Sequence, residues 1–316
     1  MMNIAVLDGS TLGKDLDLSV LSAYGNVSVY ENVKGGEIRS ALRNADVAVL
    51  NKVRINEETA GDPDRLRLIA VAATGYDNVD LDYCRRHGIG VANVRGYSTD
   101  AVAQLTMTMA LTLITHLPTY RRYTADGSYT AGGKANCLVP VYHELAGKTW
   151  GIVGLGAIGK RVAALAGAFG CRIVAVKRTP DPQYTCVDLP TLCRTADIIS
   201  VHTPLTDETR GLFGERELSL MKPGTLFLNL ARGAVTDEEA VVRALESGKL
   251  GGIGIDVYTA EPFPATSPYC RVAGRDDVIL TPHIAWGAYE TRVRLLREIA
   301  ENIAAFQRGE KRNRVD

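Results

Sequence analysis

A glycine run, Gly154-Leu155-Gly156-Ala157-Ile158-Gly159, stands in the middle of this 316-residue chain. An apolar strand pattern, Thr149–Val153, precedes it, and a helical pattern, Lys160–Phe169, follows. Strand, G-x-G-x-x-G and helix in succession form the arrangement that holds a dinucleotide pyrophosphate. The first glycine permits the tight turn, and the second lets backbone N–H groups approach the phosphates. The third lets helix and strand pack closely. Unpaired N–H groups and the helix dipole favour an anion there. The alternative, an ordinary tight connection between strand and helix, loses weight because both neighbours have the required pattern. Gly154, Gly156, Ala157, Ile158 and Gly159 are therefore the expected phosphate contacts.

The mid-chain position shapes the domain reading. Strand-like runs at Asn3–Leu7, Val27–Tyr30, Val47–Asn51, Leu68–Ala72 and Gly90–Asn93 alternate with helical patterns such as Gly36–Arg43 and Leu81–His87. The alternation resumes after the glycines, with strands at Arg172–Val176, Ile198–His202, Thr225–Asn229, Gly252–Asp256 and Val278–Thr281. Helices fit Leu189–Ala196, Glu215–Leu220 and Asp237–Ser247. Alternating β and α predicts parallel sheets with helices on both faces. Tyr289–Gly309 is amphipathic, with Val293, Leu296, Ile299, Ile303 and Phe306 on one face. A small first unit would gain a covering helix if this segment returned to it. The expectation is thus an α/β protein of two doubly wound parallel-sheet domains. A Rossmann cofactor domain, 99–286, is inserted into a discontinuous flavodoxin-like substrate-binding domain, 1–98 plus 287–316.

Composition narrows the partners. The 36 Lys and Arg balance 36 Asp and Glu, so no net positive charge argues for nucleic acid. Six scattered cysteines form no C-x-x-C pair and lack metal-ligand spacing, which predicts free thiols and no metal site. Met1–Asp8 reads as a strand rather than a signal peptide. Ala101–Tyr120 carries no charge, yet its threonines, Gln104, His116 and Pro118 make it too polar for a membrane span. It is expected as one uncharged, buried helix, in a protein of the cytoplasm. Thr119–Val141 is too long for an ordinary connection and reads as a dimer arm or a mobile loop.

An NAD-binding fold usually places an acid at the end of its second strand to hold the ribose hydroxyls. Here that strand, Arg172–Val176, runs into Lys177-Arg178-Thr179. Two cations and a hydroxyl suit a 2′-phosphate, by point charge and by guanidinium fork. The expected cofactor is therefore NADP, with NAD as the alternative if both cations are merely solvated.

Ligands of open α/β sheets bind beyond the carboxyl ends of strands. Arg232 follows one strand in Asn-Leu-Ala-Arg-Gly, Glu261 follows the next in Ala-Glu-Pro, and His283 follows the last in Thr-Pro-His-Ile-Ala-Trp. Each has a plain reading as a surface charge, a turn residue or a structural histidine. A guanidinium, a carboxylate and an imidazole at one edge of a nucleotide-binding sheet point instead to a reaction site.

These motifs, with Ala73-Thr74-Gly75-Tyr76-Asp77-Asn78-Val79-Asp80, Gly96–Ala103 and His202-Thr203-Pro204-Leu205-Thr206, resemble the D-isomer-specific 2-hydroxyacid dehydrogenases over nearly the whole chain. Asn51-Lys52, Tyr97–Asp100 and His283–Trp286 are most similar to the glycerate dehydrogenase and glyoxylate/hydroxypyruvate reductase branch. The resemblance implies Arg232, Glu261 and His283 as catalytic residues and a homodimer acting on a small 2-keto or 2-hydroxy acid. His283 would give a proton to the carbonyl oxygen, Glu261 would orient the imidazole, and Arg232 would grip the carboxylate. Cofactor contacts are expected also at Lys177, Arg178, Thr179, His202, Thr203, Pro204, Thr209, Ala231, Asp256 and Ala285. Substrate contacts are expected at Val53, Thr74 and Gly75, besides Arg232 and His283, with Leu50 and Trp286 reading side-chain size. Other readings on this fold are a dinucleotide-sensing, corepressor-like binding protein and a phosphite or formate dehydrogenase.

Overall fold

Short apolar runs bounded by turns become the strands of two parallel sheets. The computed structural model describes residues 1–316, which divide into two compact units, Met1–Tyr97 with Gly287–Asp316, and Ser98–Trp286. In the first unit, β1 (Met2–Val6), β2 (Gly25–Val29), β3 (Val47–Leu50), β4 (Leu68–Val71) and β5 (Gly90–Ala92) lie in the order β2-β1-β3-β4-β5. All pairings are parallel, and this is the flavodoxin-like order. Every residue of β3, β4 and β5 is buried, as strands covered on both faces must be. The helices α1 (Gly36–Leu42), α2 (Glu57–Ala60) and α3 (Leu81–Arg86) connect them. Asn56 and Asp80 cap the last two by accepting backbone N–H groups.

The second unit begins with α4 (Thr99–Ile114), α5 (Leu117–Ala125) and α6 (Ser128–Gly132). The single helix expected over Ala101–Tyr120 is therefore two, bent by 62°. His116 between them has φ +50°, and Pro118 sits in the first turn of α5. Proline suits a helix start and breaks a helix interior, so the chain restarts there. Much of the expected loop 119–141 is consequently helical. No single helix is long and apolar enough to cross a membrane.

The sheet of this unit contains β6 (Thr149–Val153), β7 (Arg172–Val176), β8 (Thr185–Cys186), β9 (Ile198–Val201), β10 (Thr225–Asn229), β11 (Leu250–Ile255) and β12 (Val278–Leu280). Their order is β12-β11-β10-β9-β6-β7-β8, all parallel. This is the Rossmann order with one added strand, and its switch point falls between β6 and β9. The helices α7 (Ala157–Ala168), α8 (Leu189–Thr195), α9 (Glu215–Leu220) and α10 (Glu238–Glu246) cover its faces. One apolar layer joins α4 and α7 to the sheet through Met109, Ala110, Trp150, Ile152, Val162 and Ala166. The other joins Phe213, Phe227, Val241, Leu245 and Ile253.

The last helix, α11 (Tyr289–Gln307), belongs to the first unit, where it packs on β4. Leu295, Leu296, Ile299 and Ile303 form its buried face. Asn302, buried with them, donates from Nδ2 to the Asn93 carbonyl at 3.0 Å, fixing the rotation of the helix. Beyond it, Ala92 bridges Arg314 antiparallel and the Val315 N–H bonds the Val91 carbonyl, so these residues cover the open edge of β5.

Candidate active site

The glycine run turns β6 into α7, and its glycines do different things. Gly154 has φ +96°, and a Cβ there would lie 2.6 Å from the Thr203 nitrogen. A Cβ on Gly159 would lie 2.2 Å from the Gly154 carbonyl oxygen. Both are therefore needed by the backbone itself. Gly156 has an extended backbone (φ −84°, ψ −160°), and a Cβ there would meet nothing within 4 Å. The space above it is open, as a phosphate cradle requires. Gly156 is the N-cap of α7 and supplies no side-chain cap, so the first-turn N–H groups of Ala157 and Ile158 are left for an anion. The residues present fit the pyrophosphate of a dinucleotide.

His202 directly follows β9, beside this loop. Its Nε2 lies 3.0 Å from the Ser200 hydroxyl, which also accepts the Trp150 indole N–H at 2.9 Å. Burial pushes the His202 imidazole down to about 3, so it is neutral and no proton donor at ordinary pH. Thr203 and Pro204 follow. The Thr209 hydroxyl is engaged within that loop, donating to the Pro204 carbonyl at 2.7 Å and accepting the Thr206 N–H at 2.8 Å.

At the end of β7, Lys177 does not stand alone. Asp181 turns back so that its carboxylate lies 3.5 Å from the Lys177 ammonium and 2.7 Å from that of Lys160 in α7. These cations hold the Asp181 carboxyl below its usual range, Lys160 first. Asp181 lies five residues beyond β7, outside the place directly after the strand where such an acid is expected. Arg178 and Thr179 are exposed.

Three turns at the carboxyl edge of β10, β11 and β12 carry Arg232, Glu261 and His283. Asn229, fully buried, shapes the first: its Oδ1 accepts the Ala231 N–H and its Nδ2 donates to the Arg232 carbonyl, both at 3.0 Å. Arg232 thus leaves the strand in an extended conformation (φ −146°, ψ 141°). Gly233 lets this turn touch the next, since a Cβ there would lie 2.0 Å from the Tyr258 carbonyl carbon and 2.2 Å from the Thr259 nitrogen. Backbone on both sides cannot yield as a side chain would. Gly233→Ala should therefore cost about 1–3 kcal/mol. In a thermal melt that is a drop of roughly 2–12 °C, with lower turnover because the Arg232 turn shifts. An unchanged melting temperature would contradict this packing.

Asp256, fully buried after β11, organises the third turn. Its Oδ1 accepts the Thr281 hydroxyl at 2.6 Å and the Ile284 N–H at 2.8 Å, and its Oδ2 accepts the Ala285 N–H at 2.9 Å. Burial raises its carboxyl, and these bonds oppose the rise. Its backbone carbonyl takes the His283 N–H at 2.9 Å. These bonds hold His283 at φ +54°, a left-handed conformation that a non-glycine residue adopts only when its surroundings fix it.

The His283 Nδ1 lies 2.7 Å from Glu261 Oε2. The other carboxylate oxygen, Oε1, accepts the Tyr258 N–H at 3.2 Å, so Glu261 is oriented by backbone before it orients the imidazole. A carboxylate can only accept, so Nδ1 carries the proton of this contact. Ala231 and Ala285 are small and buried at the same edge.

In the first unit, Val53 follows β3, and Thr74 and Gly75 follow β4. The Thr74 hydroxyl donates to the Val94 carbonyl at 2.8 Å, and the Thr74 carbonyl accepts from Asn93 Nδ2 at 2.7 Å. Leu50, expected to read side-chain size, is instead fully buried in the core of this unit with Leu7, Leu42 and Ile69. It is the last residue of β3, and both faces of that strand are covered.

Comparison with known proteins places the chain among dehydrogenases of one family. The model of the D-isomer specific 2-hydroxyacid dehydrogenase NAD-binding domain matches residues 107–285. A glycerate dehydrogenase from Methylorubrum extorquens is 36% identical over 282 residues, covering 89% of this chain and 88% of that protein. The crystal structure of a D-lactate dehydrogenase from Aquifex aeolicus, complexed with NAD and lactic acid, superposes with a TM-score of 0.84 at 29% identity, covering 98% and 96% of the two chains. An acyclic imino acid reductase in complex with NADPH and D-Arg gives a TM-score of 0.88 at 26% identity over 100% of both chains.

Proposed function

The chain belongs to the D-isomer-specific 2-hydroxyacid dehydrogenase family, and from that premise we propose that it reduces a small 2-keto acid of the hydroxypyruvate or glyoxylate type to the D-2-hydroxy acid. Family membership makes it an NAD(P)-dependent oxidoreductase acting on a small 2-keto or 2-hydroxy acid. The finer reading rests chiefly on one observation, the 2.7 Å contact between Glu261 and the His283 Nδ1 at the carboxyl edge of a nucleotide-binding sheet.

When bound there, a nicotinamide cofactor would supply the hydride. His283, protonated, gives its Nε2 proton to the carbonyl oxygen as negative charge develops there, and takes it back in the oxidative direction. Glu261 holds the ring in orientation through Nδ1. Arg232 offers two parallel N–H groups to the carboxylate of the acid, a planar task that a lysine performs poorly. Val53, Thr74 and Gly75 are assigned to substrate contact. The pyrophosphate falls to Gly154, Gly156, Ala157, Ile158 and Gly159, with His202, Thr203, Pro204, Thr209, Ala231, Asp256 and Ala285 shaping the rest of the cofactor site. A second copy of the chain is assigned to the exposed apolar residues Leu138, Val139, Val141 and Tyr142.

Lys177, Arg178 and Thr179 favour NADPH over NADH. Asp181 offsets one charge, but Lys160, Lys177 and Arg178 outnumber it. Following absorbance at 340 nm with hydroxypyruvate, glyoxylate and pyruvate tests both parts. Hydroxypyruvate or glyoxylate should be reduced with the larger kcat/KM, and NADPH should give the larger value of the two cofactors. Tight cofactor binding without reduction of any of the three acids would sink the substrate reading. A preference for NADH would sink the cofactor reading alone.

A further inference from the structure

We infer that Asp8 is a positioning residue for the substrate turn Asn51–Val53 of the first unit. The inference rests on the reading above, which assigns Val53 to the acid. Asp8 lies two residues beyond β1 and is 1% exposed. Its Oδ2 accepts the N–H groups of Asn51 at 3.1 Å, Lys52 at 2.6 Å and Val53 at 3.1 Å. Its Oδ1 accepts the Asn51 N–H at 2.9 Å.

Successive backbone N–H groups turned to one side form a concavity that binds anions. Here the anion is the chain's own carboxylate, brought from 43 residues away. These three N–H groups are therefore not offered to a carboxylate of the substrate. What Val53 has to present is the 7% of its surface left exposed, the rest being packed in the core of this unit.

The carbonyl side of the turn is held as well. Asn78 Nδ2 donates to the Asn51 carbonyl at 3.2 Å and to the Val53 carbonyl at 2.8 Å. Asn51 Nδ2 donates to the Ala72 carbonyl at 2.7 Å, just before the Ala73–Asp77 loop. The turn is thus clamped between a carboxylate from the end of β1 and an amide from the loop after β4. A buried carboxylate is costly unless its hydrogen bonds are all made, and burial indeed raises the Asp8 carboxyl against the pull of the three amides. An ordinary surface turn has no need of such an anchor. A turn that must hold one methyl-bearing side chain at a fixed height does, because that height limits the acid's own side chain. Asp8 sets it without touching the substrate.

The test is Asp8→Asn, which keeps the shape and one acceptor oxygen but removes the charge. KM for hydroxypyruvate should rise about tenfold, as for loss of a charge-assisted bond. Turnover should stay within about twofold and dinucleotide Kd should not change, because both depend on the second unit. Hydrogen exchange of the Asn51, Lys52 and Val53 amides should accelerate, while amides of β6 and β9 stay protected. Asp8→Ala leaves three buried N–H groups unpaired and serves only as a stability comparison.

Unchanged exchange at these amides would overturn the anchoring role. Faster exchange with an unchanged KM would overturn the link to substrate. A wild-type protein that reduces no 2-keto acid would instead defeat the functional reading. The exchange comparison would then still decide whether Asp8 holds the turn.

Discussion

Replacing His283 by alanine should lower kcat for 2-keto-acid reduction by about 10²–10⁴-fold, the usual worth of a positioned general acid. Dinucleotide Kd should stay within about twofold, since the pyrophosphate site follows β6, four strands away from β12 in the sheet, and none of its groups moves. The substitution is a clean one for structural reasons. The His283 backbone is held by the Asp256 carbonyl, and the next two amides are held by the Asp256 carboxylate, so the turn does not depend on the imidazole. What disappears is the ring, which Glu261 holds at 2.7 Å through Nδ1. Glu261→Gln should have a smaller effect on kcat, because an amide can still meet Nδ1 while its negative charge is gone. Turnover near the wild-type value for His283→Ala would remove His283 from the proposed role.

Gly156→Val should abolish cofactor use while leaving the fold intact. The three glycines of the run separate this effect from unfolding. Gly154 carries a positive φ, and Gly159 has a carbonyl oxygen 2.2 Å from where a Cβ would be, so substitution at either strains the backbone. Gly156 has an ordinary extended backbone, and its would-be Cβ points into open space. A valine there fits the empty protein and occupies the space in which phosphate oxygens must approach the first-turn N–H groups of α7. Dinucleotide Kd should weaken at least about 100-fold, as expected when several charge-assisted bonds are lost together. The melting temperature without cofactor should move by no more than about 2 °C. Fluorescence titration with NADPH and a melt on the same sample decide it. Retained binding would place the phosphates elsewhere, and a collapsed melt would show that Gly156 is a folding residue after all.

Much of this architecture is legible from the chain alone, and the reason is burial. Strands such as Val47–Leu50 and Ile198–Val201 are covered on both faces, so they appear as unbroken apolar runs. Arg232, Glu261 and His283 stand out because each follows such a run. Their spacing does not say that Glu261 meets Nδ1, which depends on how two turns 22 residues apart lie against each other. The break at His116 is hidden because apolar residues continue on both sides and a proline is welcome in a first helical turn. Asp181 escapes notice because its partner is reached by chain reversal rather than by strand position. Asp8 looks like a solvated charge after a strand until the backbone donors arrive from far along the chain.

The return of α11 to the first unit has a consequence for biosynthesis. Residues 1–97 leave the ribosome with β4 lacking the helix that packs on it and with the edge of β5 bare. Unit 98–286 must be made before either cover exists, which takes roughly 10–40 s at ordinary elongation rates. The later-made domain is therefore the one whose sequence is contiguous and able to close first. The earlier one waits with an unpaired strand edge, the feature most apt to recruit a neighbouring chain. On the polysome, the vulnerable interval of this protein belongs to its amino-terminal sheet, and chaperone contact should be sought there.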